Sequence, residues 1–429
     1  MSFRRKLLVA FPIVVMLVVA GCKISTINYF PPHPASIRVV NLMPETAAID
    51  VQVGGQPAFS AVAFQSLTGY QSYENTATSF SVNVTGSAAS LISFSYNLAG
   101  EQPYTLVIYG TLTNPAASLL QEVASAPTNG NIQLSVINAA INQAAIDIYV
   151  TAPGVDITTV NPNFGSVGFN GTSLNLAFPP ATYQVRITTQ GTKTVIYDSG
   201  GTVLTPNIAL SFIVYSKGSG VLVNAMALQS QGPGGALDSI YAQIKDMNGA
   251  PVVGAVNQLL GTTTIVSNLP YTGVSSYTQI PQGPTTVNFE ATATPGATIA
   301  STPASPGAGT DVSAFVTGLP GSQQAFVLND LNVPPAGGNI RLRFVNASWN
   351  SNPLNVAVNG VAQATAVAFP TASPYAQLAA ATVTVVFTDA TTGAVVLTLP
   401  DLVLAAGHTS TIYVIGPQGA VGGVLTQDN

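Results

Sequence analysis

Ile37-Arg38-Val39-Val40-Asn41, followed by Ala48-Ile49-Asp50-Val51, decides the fold of this chain, because the same stretch returns. Leu134-Ser135-Val136-Ile137-Asn138 precedes Ala145-Ile146-Asp147-Ile148, and Leu342-Arg343-Phe344-Val345-Asn346 precedes Pro353-Leu354-Asn355-Val356. In each copy nine residues separate the Asn from the Asp or Asn of the second segment. A fourth, weaker copy reads Ala242-Gln243-Ile244-Lys245-Asp246; nine residues on stands Ala255, so the pattern lapses there. The copies also end alike, with an apolar strand, a Gly-containing turn and a last strand: Tyr104 to Gln121, Leu210 to Leu228, Ser313 to Leu328 and Thr411 to Thr426. Self-similarity of this kind marks a repeat architecture. The modules span 36–125, 130–229, 238–332 and 338–429, each about 95 residues, the size of a small sandwich domain.

Within a module, apolar residues alternate. Phe80, Val82 and Val84 share one face, as do Tyr183, Val185 and Ile187, and Val383, Val385 and Phe387. Period two places one face on a core and the other in water. Short strands punctuated by Gly, Pro and Asn predict an all-β chain of tandem antiparallel, Ig-like β-sandwiches, with about seven strands per module. Gly232-Pro233-Gly234-Gly235 and Pro334-Pro335-Ala336-Gly337-Gly338 read as linkers with few contacts across them, and Thr294 to Thr310 as a long exposed loop.

The opening run, with Pro44 and Val51-Gln52-Val53-Gly54-Gly55 after it, resembles the start of a bacterial module known as domain of unknown function 4397. Val356-Ala357-Val358-Asn359-Gly360 fits the same place in module 4. The resemblance implies an exported, Ig-like or transthyretin-like sandwich, often repeated, and brings no catalytic residues with it.

The N-terminus has the layout of a secretory signal. Arg4, Arg5 and Lys6 precede an apolar run from Leu7 to Ala20, and Val19-Ala20-Gly21 leads into Cys22, the only cysteine. This resembles the lipobox of bacterial lipoproteins, which implies cleavage between Gly21 and Cys22 and acylation of Cys22. Residues 1–21 are then the signal peptide and 22–35 a lipidated, Pro-rich tether. The run is about 14 residues and contains Pro12, too short for a spanning helix of roughly 20. Lys23 leans toward the outer membrane by the sorting rule of that family.

Composition narrows the partners. Charged residues are 6% of the chain and the net charge is −5, with no basic run beyond the signal peptide, so nucleic acid is not expected as a partner. Hydrophobic residues at 47% exclude disorder. With one cysteine no intramolecular disulfide forms, so each module needs its own core.

Chemistry is sparse. Histidine occurs only at His33 and His408, and no zinc spacing or nucleophile elbow is present. The pairs Asn41/Asp50, Asn138/Asp147 and Asn346/Asn355 offer too few carboxylates for calcium; we read them as structural turn residues that bond their own loop backbones. Asp246-Met247-Asn248-Gly249 likewise reads as a turn. Tyr70, Tyr73, Tyr277 and Tyr375 fall at one place in their modules, as a sugar platform or as core. Trp349, the sole Trp, is a loop contact point or a core cap. No cofactor or metal is implied.

These readings describe a non-enzymatic, lipid-anchored protein of the bacterial outer membrane, on its surface or periplasmic face. It is a structural, adhesive or polymer-binding array, with a glycan or another envelope protein as partner. The alternative is a periplasm-facing envelope hydrolase, drawing on acids such as Glu290 and Asp311, or a carbohydrate-binding accessory protein with its site between modules. A transmembrane barrel is disfavoured because a barrel has no separate 95-residue units (about 95, as above).

Overall fold

The computed structural model describes residues 33–74, 76–123, 127–216, 221–332, 335 and 338–428. The signal peptide, Gly21, Cys22 and nearly all of the tether lie outside the described residues. Module 1 contains β1 (Ala35–Asn41), β2 (Ala48–Val53), β3 (Gln56–Ala63), β4 (Gln71–Tyr73), β5 (Ala77–Val84), β6 (Ser90–Asn97), β7 (Pro103–Thr111) and β8 (Asn114–Gln121). One sheet has the order β4-β1-β7-β8 and the other β3-β2-β5-β6, and the same two sheets recur in modules 2, 3 and 4. A module therefore has eight strands rather than seven, and module 2 gains a ninth. Pairing is antiparallel except that β1 runs parallel to β7, as do its counterparts in every module. Each pair of sheets encloses its own apolar core.

The two sheets of a module differ in burial. β5 alternates, and the outward face of its sheet meets water. β7 is buried along its whole length, as are Asp311–Thr317 and Thr409–Ile415. A strand covered on both faces reads as a continuous apolar run, which is what Leu106-Val107-Ile108-Tyr109 and Ile412-Tyr413-Val414-Ile415 are. The second cover is the neighbouring module. Val40, Val107 and Tyr109 of module 1 pack on Ile137, Ile213 and Tyr215 of module 2, and Met247 and Phe315 of module 3 on Val345 and Tyr413 of module 4.

The contacts are reciprocal. Tyr109 meets Phe169 edge-on at 6.1 Å, and their counterparts Tyr215 and Phe64 meet at 6.2 Å. Phe315 and Tyr413, which hold equivalent positions in modules 3 and 4, touch each other at 6.0 Å. Residue i on j and j on i is the signature of an isologous interface, so modules 1 and 2, and modules 3 and 4, form pseudo-two-fold pairs.

This corrects the linker reading. Gly234–Leu237 is a fifth strand on the β8-like edge of module 2, and Tyr197 Oη donates to the Leu237 carbonyl at 2.8 Å. Gly234 lies close against two leucine side chains: a Cβ there would stand 2.3 Å from Leu228 and 2.8 Å from Leu67, so those side chains would have to turn aside. Thr298–Ala304, inside the segment read as a loop, is an edge strand beside Thr285–Ala291.

Candidate functional site

The recurring Asn ends β1 and is buried in all four modules. Its Nδ2 donates to a carbonyl at the end of the β3 segment: Asn41 to Val62, Asn138 to Val167, Asn248 to Leu269 and Asn346 to Val367, all at 3.0–3.1 Å. Its Oδ1 accepts the amide two residues on, at Met43, Ala140, Ala250 and Ser348. In module 3 the residue in this place is Asn248, not Asp246, so the fourth copy is shifted by two residues. Counted from Asn248, nine residues lead to Asn257, and the repeat holds throughout. We expect Asn248→Ala to cost about 2–3 kcal/mol, because it leaves a buried carbonyl and amide unpaired; the shift of the urea midpoint measures it.

The second-strand Asx has one task in every module. Asp50, Asp147, Asn257 and Asn355 accept the amides of Ala61, Ser166, Asn268 and Ala366 at 2.7–2.9 Å. Those four residues have φ of 50–55° and sit where the β2–β3 ladder shifts register. The carboxylate or amide holds a β-bulge in a backbone conformation that L-residues adopt reluctantly. The Ala61 amide also keeps the Asp50 carboxyl below its ordinary range.

The richest polar constellations lie between modules. Arg343 of module 4 is buried, with Nη2 2.6 Å from Asp330 Oδ1 and Nη1 2.9 Å from the Asn329 carbonyl of module 3; its guanidinium lies over the Tyr375 ring at 4.8 Å. Lys245 of module 3 pairs with Asp428 of module 4 and lies over the Tyr277 ring at 5.1 Å. Ser313 and Thr411 donate to Asp330 and Asp428. The two ion pairs cross the interface in opposite directions, as the pseudo-two-fold requires. Burial works against the Arg343 charge, and Asp330 and the other anions nearby more than offset it, so the group stays charged far above neutral pH. Burial also pushes the Tyr277 and Tyr375 hydroxyls well up.

Module 1 has the same set, differently joined. Arg38 binds Thr105 at 2.8 Å and Glu122 at 3.0 Å, lies over Tyr70 at 4.8 Å, and reaches the Gln229 and Gly232 carbonyls of module 2. Tyr70 and the Gln231 amide also donate to Glu122. In module 2 the corresponding residues are Ser135, Asn175, Ser211 and Ser230, and they line a cavity of about 280 Å³ between modules 1 and 2.

Tyr70, Tyr277 and Tyr375 are thus ring partners of interface cations rather than an open aromatic platform, and Tyr73 packs against the core of module 1. Trp349 is buried, 7% exposed, in the loop after the β1 counterpart of module 4. Glu290 accepts the Gly296 amide on the outer sheet, whereas Asp311 is buried beside Asn332, so the two acids serve separate contacts. His33 pairs with Glu101, and the His408 carbonyl accepts the Arg341 amide. Among the described residues no group of three or more His, Cys, Asp or Glu could hold a metal ion. The sequence signal for the interface clusters was present: a cation at the same position of the first strand, Arg38, Lys245 and Arg343, in three copies of a chain with 6% charge.

The fold defines a tandem β-sandwich protein with paired modules. The chain belongs to the family described as domain of unknown function (DUF4397), whose model matches residues 35–149, 242–357 and 342–429. No curated protein matches it. Similar solved structures include a streptococcal virulence factor module described as alpha-glucan binding (12% identity, TM-score 0.17, covering 41% of this chain and 93% of that one). A family 26 carbohydrate-binding module of Eubacterium rectale Amy13K, in complex with maltoheptaose, shares 8% identity at TM-score 0.16, covering 43% of this chain and 92% of that one. The major pilin subunit of Bacillus cereus shares 7% at TM-score 0.12, covering 67% and 99%. At these TM-scores none of them assigns a ligand to this chain.

Proposed function

We propose that the protein is a non-enzymatic component of the bacterial cell envelope, held to the outer membrane by lipid on Cys22, in which four sandwiches clamped into two pairs form a structural, adhesive or polymer-binding array. The observation that carries this reading is where the cations go. Among the described residues there are six Lys and Arg, and Arg38, Lys245, Arg341 and Arg343 all bind a group of another module, Arg341 through Glu45. Arg186 and Lys193 bind backbone carbonyls of their own module. Four of the six described cations thus join modules.

Cys22→Ala tests the anchor. The variant is expected in the soluble fraction after cell lysis, with wild type in the outer-membrane fraction; a variant that stays with the membrane overturns the lipid anchor. Protease treatment of intact cells then separates the two faces. Digestion with periplasmic controls intact means an outward array, for which adhesion is the role. Protection until the outer membrane is opened means a periplasmic scaffold.

A further inference from the structure

The two module pairs differ in one respect. At the interface of modules 3 and 4, both pseudo-symmetric places hold a cation, a tyrosine, a hydroxyl and an acid. At the interface of modules 1 and 2, one place holds Arg38, Tyr70, Thr105 and Glu122. At the other, the cation is Ser135, the tyrosine Asn175 and the acid Ser230, and only the hydroxyl of Ser211 is kept. Three large side chains are missing from one place, and the cavity is the space they leave.

We propose that this cavity between modules 1 and 2 is a binding site for a neutral polyhydroxylated ring, a single glycosyl unit. Charge comes first. Glu122 lines the cavity, but its carboxylate already accepts from Arg38, Thr105, Tyr70 and the Gln231 amide. Arg38 in turn binds Glu122, Thr105 and two carbonyls, and it does not line the cavity. No unpaired charge faces the space. A guest cation, phosphate or carboxylate would be desolvated there without a counter-charge, at a cost that neutral hydroxyls avoid.

The lining matches such a ring. Ser135, Asn175, Ser211 and Ser230 supply hydroxyl and amide groups that both donate and accept; Ser135 and Ser211 bond each other at 3.0 Å and between them keep one donor and further lone pairs for a guest. Leu120 and Ile137 supply aliphatic wall for the C–H face of the ring. The replacements are polar. Had the loss of the ion set served packing alone, apolar side chains would have closed the interface, as they do between Phe315 and Tyr413. The volume of about 280 Å³ stands at the low end of ligand pockets, roughly 300 Å³ and upward, which suits one ring rather than a chain. Asn175 and Thr172 at the rim are exposed, so a polymer can continue outward from a ring seated inside.

This inference deepens the polymer-binding part of the function proposed above, and it fails separately: sugar binding by the purified protein is independent of where the Cys22→Ala chain fractionates. The test is saturation-transfer NMR and calorimetry on the full mature chain, with glucose, N-acetylglucosamine, maltotriose, cellotriose and chitotriose as neutral probes. Glucose 6-phosphate and methylguanidinium serve as charged ones. At least one neutral probe is expected to bind. Ser135→Arg/Asn175→Tyr, which refills the cavity with the residues of module 4, is expected to weaken it at least tenfold. Ser211→Ala, too small a change to threaten folding, is expected to weaken it about fivefold. A gain in affinity from monosaccharide to trisaccharide identifies a polymer as the source of the ring, and a flat series a free sugar. The proposal is overturned if no neutral probe binds, if a charged probe binds more tightly than every neutral one, or if the refilled variant, melting like wild type, binds as well as wild type.

Discussion

Arg343→Ala is expected to destabilise the module 3–module 4 pair by about 3–5 kcal/mol, the usual cost of removing one partner of a buried ion pair. Asp330 is the reason. It is 8% exposed, and its carboxylate faces the Arg343 guanidinium at 2.6 Å. Without that cation its charge stays buried in the interface, with Ser313 and Tyr277 as the remaining side-chain donors. The contribution of the pair itself is smaller than the cost of breaking it, because two desolvated charges offset much of their mutual attraction. Arg343→Met combined with Asp330→Leu is therefore expected to recover at least half of the loss. Trp349, buried in module 4, reports the transition by fluorescence during urea unfolding. If the single variant unfolds at the wild-type midpoint, the cross-module ion pair contributes nothing and the pairing rests on apolar contact alone.

The module count and the outer strands were legible because alternation such as Phe80-Ser81-Val82-Asn83-Val84 records one wet face and one dry face. The pairing of modules was written less directly, in apolar runs such as Leu210 to Tyr215. A run of that length is consistent with any well-buried strand and names no partner. The linker reading failed at Gly234–Leu237 because a Gly-rich stretch carries no sign that its backbone pairs with Asn224–Gln229 and lies against Leu67 of module 1. Module 3 was read out of register because Asp246 stands where its siblings carry Val39, Val136 and Phe344, and an acid after Lys245 looks like the end of a strand. The cavity was not legible at all: Ser135, Asn175 and Ser230 signify something only beside the cation, tyrosine and acid that hold those places elsewhere.

Asp246 itself gives the second large effect. Val39, Val136 and Phe344 belong to the cores of their modules, so Asp246 places a carboxyl in the core of module 3. Gln258 stands where the siblings have Val51, Ile148 and Val356, so that core carries two polar side chains. Both Asp246 oxygens and Gln258 Oε1 are buried without a hydrogen-bond partner. Burial pushes the Asp246 carboxyl well above its ordinary value of 3.8. The folded state therefore binds this proton more tightly than the unfolded state does. Its contribution to stability is complete below the unfolded value, near pH 4, and is lost as pH rises toward the raised folded value. Asp246→Val, which installs the side chain of modules 1 and 2, removes the buried polar group and adds apolar packing. It is expected to stabilise the chain by about 2–4 kcal/mol at pH 7. The gain should shrink toward pH 4, where wild-type Asp246 begins to take up its proton in the unfolded state as well. Urea midpoints at pH 4, 5, 6, 7 and 8 for both proteins measure gain and slope together. A variant less stable than wild type at pH 7, or one whose advantage does not change with pH, would show that the carboxyl is solvated or paired in the folded state. The opposite result would make module 3 a unit that grows more stable on acidification, through one proton in its core.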